Sequence, residues 1–125
     1  MTLAVEMVTG GFSAGQAAAA GGQYNSFAAA GSTITDATRI SSSLAVVTGA
    51  DGSKGVYLQG QVGDEFIIFN NAGSTLKVYG DTSSVAISVG GTGLGTAGTA
   101  FSHLTYKTVR YVKVSSTQYL SIVGA

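Results

Sequence analysis

Cysteine, proline and tryptophan are missing from this 125-residue chain, and charge is scarce. Without cysteine there is no disulfide and no thiolate zinc site, and the redox compartment leaves no trace. Charged residues make up 10% of the chain, against about 25% in ordinary soluble domains. A surface so poor in charge stays soluble as a free monomer only with difficulty, which points to a surface covered by partners. Six Lys/Arg balance six Asp/Glu, and the basic residues are scattered. Nucleic-acid binding needs a basic patch to neutralise phosphates. Only Lys107, Arg110 and Lys113 cluster, and they read as the charged solvent face of a strand. No apolar run approaches the roughly 20 residues that span a bilayer. The opening residues Met1–Glu6 carry an acid and no basic group, unlike a secretory signal. No partner of nucleic acid or membrane type is expected.

What the chain does have is glycine, 19 residues of it, with abundant alanine and serine. The distribution changes near residue 31. Residues 1–31 hold Gly10-Gly11, Ala17–Ala20, Gly21-Gly22 and Ala28–Gly31, with few large apolar side chains. Glycine raises the entropy lost on ordering and alanine offers little area to bury. This segment is expected to be an interaction arm that docks on neighbouring subunits through Phe12, Tyr24 and Phe27. A short helix over Gln16–Ala20, capped by Ser13, is compatible with its composition.

Residues 32–125 alternate short β-rich runs with Gly/Asn/Asp/Ser punctuation, the grammar of an all-β domain. Strands are expected near Ser43–Thr48, Gly55–Leu58, Glu65–Asn70, Leu76–Tyr79, Val85–Val89, Val109–Val114 and Tyr119–Val123, with a weaker one near Ala100–Tyr106. Phe66-Ile67-Ile68-Phe69 is apolar on both faces and reads as a central strand at the middle of the core. Asn70–Ser74 and Gly49–Ser53 read as hairpin loops. The expected architecture is an antiparallel β-sandwich, jelly-roll-like, or a small barrel, and no internal repeat stands out.

Four features invite a chemical reading. Gly11-Phe12-Ser13-Ala14-Gly15 matches the G-x-S-x-G nucleophile elbow, and Asp residues and His103 follow in the order a hydrolase uses. The elbow needs a strand before it and a helix after it, and a Gly/Ala arm supplies neither. Gly93-Leu94-Gly95-Thr96-Ala97-Gly98 matches G-x-G-x-x-G, but no helical pattern follows. The acidic residue expected about 20 positions on is also missing, Asp81 being the last acid in the chain. His103 is the single histidine, too few for a metal site within one chain, and reads as a surface or interface residue. Asp64-Glu65 is the one adjacent acidic pair, and neighbours on a strand point to opposite faces. Gly63-Asp64 reads instead as the turn into the central strand, and Asp51 and Asp81, beside glycines, as turn formers. No catalytic residue, cofactor or metal is expected.

The stretch Lys54–Val123 resembles small β-structured virion proteins of tailed bacteriophages. The resemblance lies in Gly55-Val56-Tyr57-Leu58, in Val62–Asn71, in Lys77-Val78-Tyr79-Gly80 and in Val112–Tyr119. Gly80 stands where many relatives have proline, and Tyr119 where many have tryptophan. The resemblance implies a non-enzymatic head decoration (cement) protein on the capsid exterior. Such a protein binds the major capsid protein, commonly as a homotrimer. The alternative it implies is a receptor- or glycan-binding module of a fibre or tail.

Overall fold

The computed structural model describes residues 24–88 and 95–123, and in them the chain is all-β. The strands are β1 (Asn25–Ala28), β2 (Thr38–Ile40), β3 (Leu44–Thr48), β4 (Gly55–Leu58), β5 (Glu65–Asn70), β6 (Leu76–Tyr79), β7 (Ala86–Ile87), β8 (Phe101–His103), β9 (Thr108–Ser115) and β10 (Gln118–Val123). They form a six-stranded sheet, β1-β3-β5-β9-β10-β7, and a four-stranded sheet, β2-β4-β6-β8.

From β1 to β6 successive strands alternate between the sheets. Within each sheet they pair in parallel, β1 with β3 and β3 with β5, β2 with β4 and β4 with β6. The chain therefore winds as a coil, each revolution adding one strand to each sheet, as in a solenoid. Asn25 lies beside Ala45, and Leu44 beside Ile67, so successive revolutions take 20 residues (25 to 45) and 23 residues (44 to 67). The winding stops after β6. There β8 pairs antiparallel with β6, and β9 pairs antiparallel with both β5 and β10. A two-residue turn at Ser116-Thr117 joins β9 to β10.

The expectation of antiparallel sheets is thus corrected: both sheets are mixed, and parallel pairs dominate the first two-thirds. The expected hairpin loops Gly49–Ser53 and Asn70–Ser74 are not hairpins. They lie where the chain passes from β3 to β4 and from β5 to β6, strands of different sheets. Turn-forming residues mark where a chain bends, not where it goes next. Facing sheets lie about 10 Å apart, a gap that three or four extended residues at about 3.3 Å each can span. A five-residue connection therefore serves a crossover as well as a hairpin.

Alternation along each strand sends one set of side chains between the sheets. Ile40, Val47, Val56, Leu58, Ile68, Leu76 and Val78 are fully buried there. Parallel register stacks them in rows, Ile40 beside Leu58 and Val56 beside Val78. At the closing end the ring of Tyr111 meets Phe101 edge-on, 5.6 Å between centroids. β5 is interior to its sheet as expected, with Phe66 and Ile68 buried and Ile67 and Phe69 half-buried on the other face. Phe66→Ala should therefore lower stability by about 3–5 kcal/mol. Phe69→Ala should cost less than half as much. Chemical denaturation of the two variants checks this, and equal losses would contradict the burial pattern.

The expected arm divides at the first described residue. Residues 1–23, with Phe12 and the suggested Gln16–Ala20 helix, lie outside the described residues. Asn25–Ala28 form β1, and Ala30 makes an antiparallel bridge to Gly55.

Candidate interaction surface

Among the described residues, the side chains that carry chemistry do not converge on a reactive centre. His103, expected at a surface or interface, is fully buried. The cause is its inward register on β8, where it meets the core hydroxyl of Tyr111. Its Nδ1 is 2.8 Å from Tyr111 Oη and its Nε2 is 2.6 Å from the Lys107 carbonyl oxygen. A carbonyl only accepts, so Nε2 carries the hydrogen and Nδ1 accepts the tyrosine proton. Both nitrogens are occupied, and no serine shares them. Desolvation holds this imidazole's pKa below its ordinary value, partly offset by the bond to Lys107. Ser13 lies outside the described residues, as do Gly93 and Leu94 of the glycine motif. Gly95 sits so close to β7 that a Cβ would stand 2.1 Å from the Ile87 carbonyl oxygen. The amide of Gly98 donates to the Val85 carbonyl at 3.0 Å. These two glycines pack against a strand rather than cradle a phosphate. Among the described residues no three His, Asp or Glu side chains gather as a metal site.

The acidic pair separates as alternation requires. Asp64 caps the turn by accepting the Gln61 amide at 2.9 Å, and Gly63 there takes a φ of 97°. Glu65 lies on the outer face of the six-stranded sheet and pairs with Arg110 of β9. Of the three clustered basic residues, Lys107 and Arg110 are exposed as expected, but Lys113 is buried. Its inward register carries it to Asp81, at 3.1 Å, and to the Gly60 carbonyl, at 2.8 Å. Asp81 also accepts the Tyr119 hydroxyl at 2.7 Å and the Gly60 amide at 3.2 Å. Asp81 is thus more than a turn residue, and no spacing along the chain marks this cluster.

The organised exposed surface of the six-stranded sheet is apolar. The outer face of the six-stranded sheet carries Leu44 and Val46 from β3, Ile67 and Phe69 from β5, Val112 and Val114 from β9, and Leu120 and Ile122 from β10. Register sets them side by side: Leu44 with Ile67, Val46 with Phe69, Val112 with Leu120. Leu120 is 39% exposed, Val114 44% and Ile122 49%. The Glu65–Arg110 pair crosses the middle of the face. With Arg110 44% exposed, the pair contributes at most about 1 kcal/mol and serves chiefly to break an otherwise apolar strip. The arm residues do not join this face within the described chain. Tyr24 is 62% exposed just before β1, and Phe27 points inward and packs against the core.

No family model, curated protein or solved structure matches the chain.

Proposed function

We propose that the protein is a non-enzymatic structural component of a phage virion, a decoration protein of the capsid exterior. Copies of the chain associate through the outer face of the six-stranded sheet, and the N-terminal arm docks on the major capsid protein. The apolar outer face carries this reading. Interior apolar residues explain a core, but Leu120, Val114 and Ile122 are apolar on the side away from it.

Charge favours identical copies as the occupant of that face. With a formal net charge of zero, copies do not repel one another, and the low charge leaves little hydration to strip. Area then limits what the face does alone. Four strands about 4.8 Å apart and about 15 Å long present roughly 300 Å², against about 800 Å² per partner in a stable interface. A second element must add area. The arm, with Phe12 and Tyr24 as apolar anchors, is the segment available. A closed ring, a trimer as the resemblance implies, hides the face without growing into filaments.

Two variants separate the roles. Leu120→Lys with Ile122→Lys alters exposed side chains only, and should convert the oligomer to 12.4 kDa monomers in analytical ultracentrifugation while leaving circular dichroism unchanged. Deleting residues 1–23, which spares β1, should leave the β domain folded but weaken the oligomer and abolish its co-sedimentation with phage heads. If the truncated chain still decorates heads fully, the arm is not the docking element. If the lysine variant stays oligomeric, the face is not the contact between copies.

A further inference from the structure

On the opposite side of the molecule, the outer face of the four-stranded sheet holds an open cleft of about 440 Å³. That volume is within the range of small-molecule sites, about 300–1,000 Å³. We propose that this cleft binds a neutral saccharide, with the Tyr57 ring as its floor.

The chemistry of the lining selects the ligand class. Tyr57 is the outward residue of β4, set between Arg39 of β2 and Tyr79 of β6 in register. Around it stand the apolar side chain of Ile34, the hydroxyls of Thr35, Thr82 and Ser83, the amide of Gln59 and the carboxylate of Asp81. An apolar ligand would strip water from these polar groups without replacing their hydrogen bonds, which costs free energy at each of them. An anion would find no basic side chain in the lining. A cation would find a carboxylate already paired with the Lys113 ammonium at 3.1 Å. An uncharged polyol with one C–H face satisfies all three conditions. Its C–H face lies on the tyrosine ring and its hydroxyls exchange hydrogen bonds with the rim.

The acceptor in this cleft is also held in place before a ligand arrives. Lys113, the Tyr119 hydroxyl and the Gly60 amide all donate to Asp81, so its carboxylate pays no ordering entropy on binding. Ser83 and Gln59 are exposed and free to adjust to different hydroxyl patterns, while Thr82 Oγ1 is held by the Ser84 amide at 3.2 Å and keeps its own hydrogen to donate. A single open cleft of this size, with one aromatic floor, suits weak binding of one or two sugar rings.

Titration of the full chain with cellobiose, maltotriose and chitotriose, followed by amide chemical-shift changes, tests the site. Sialyllactose and spermidine serve as the anionic and cationic probes. At least one neutral saccharide should shift Tyr57, Gln59 and Thr82 together, with saturation in the millimolar range. Tyr57→Ala should weaken that binding at least tenfold, and Tyr57→Phe, which keeps the ring, less than threefold. Gln59→Ala alters an exposed side chain and should weaken binding without affecting the fold, so the test survives if Tyr57→Ala unfolds. The proposal is overturned if no neutral saccharide shifts these amides, if binding persists undiminished in both Gln59→Ala and Tyr57→Ala, or if only a charged probe binds. None of these outcomes bears on association through the six-stranded sheet, which lies on the other face.

Discussion

Asp81→Ala should destabilise the protein by about 3 kcal/mol, the lower end of what breaking a buried ion pair costs, and lower the melting temperature by more than about 10 °C. The loss does not come from the attraction itself. It comes from what alanine leaves behind: the ammonium of Lys113, whose side chain is 9% exposed, and the hydroxyl of the fully buried Tyr119, both without their carboxylate. Lys113 keeps the Gly60 carbonyl, and its ammonium lies 5.6 Å from the centre of the Tyr119 ring. These contacts hold the loss to the lower end. Asp81→Asn should cost less, because an amide oxygen still accepts the Tyr119 proton while the charge is gone. Replacing both partners, Asp81→Asn with Lys113→Met, should recover part of the stability lost by Asp81→Ala, since no unpaired charge then remains inside. Thermal denaturation of the series checks the order. If Asp81→Ala melts within about 2 °C of the parent, the ammonium and hydroxyl have reached water and the cluster is not holding the sheets together.

The cluster also shows why some of this protein was legible in its sequence and some was not. Strands announce themselves by local composition, so Gly55–Leu58, Glu65–Asn70 and Leu76–Tyr79 could be bounded from residue type alone. β1 and β2 could not. Asn25-Ser26-Phe27-Ala28 and Thr38-Arg39-Ile40 are short, and their place in the sheets comes from parallel pairing with β3 and β4, which leaves no local mark. The coiled path was hidden for the same reason. The residues that stack from one revolution to the next match only in places, Val56-Tyr57 beside Val78-Tyr79 but Val47 beside Asn70, too few for a repeat to stand out in the letters. Asn70 itself looked like the start of a loop. It is the buried last residue of β5, and its amide nitrogen donates to the carbonyls of Ser74 and His103. It pins the crossover to the far end of β8. Asp81, Lys113 and Tyr119 are brought together across 32 and 38 residues. Nothing in their spacing encodes that meeting. The apolar outer face, by contrast, was half visible, because Phe66–Phe69 is apolar at four consecutive positions. A strand buried on one side only has no need of the second set.

Acidification should destabilise the protein in two separate pH windows, the first set by His103. In the unfolded chain this imidazole takes a proton near pH 6.5. In the folded chain burial opposes the charge and the pKa is lower. The unfolded state therefore binds more protons in that interval, and stability rises with pH there. The contribution is fully present above about pH 6.5 and is lost as pH falls below it, until the folded histidine itself titrates. Geometry explains the resistance. A second ring proton would sit on Nδ1, facing the Tyr111 hydroxyl that now donates to it, and Tyr111 is wholly enclosed. The second window is carboxylate. Asp51, bonded to the amides of Lys54 and Ser53, is held down to about 2 from 3.8, and Asp36 is lowered by its bonds to Thr33. Their contributions are present above about pH 4 and fade below it. Urea midpoints measured from about pH 7.5 to 4.5 isolate the first window, with an expected slope of up to about 1.4 kcal/mol per pH unit. His103→Gln is the control, because a glutamine amide can donate to the Lys107 carbonyl and accept from Tyr111 without titrating. Its profile should be flat across that range and should rejoin the parent's acid loss below about pH 4. A parent profile already flat between pH 6.5 and 4.5 would mean that the folded histidine accepts its proton as readily as the unfolded one, and would overturn the account built on its burial and its two occupied nitrogens.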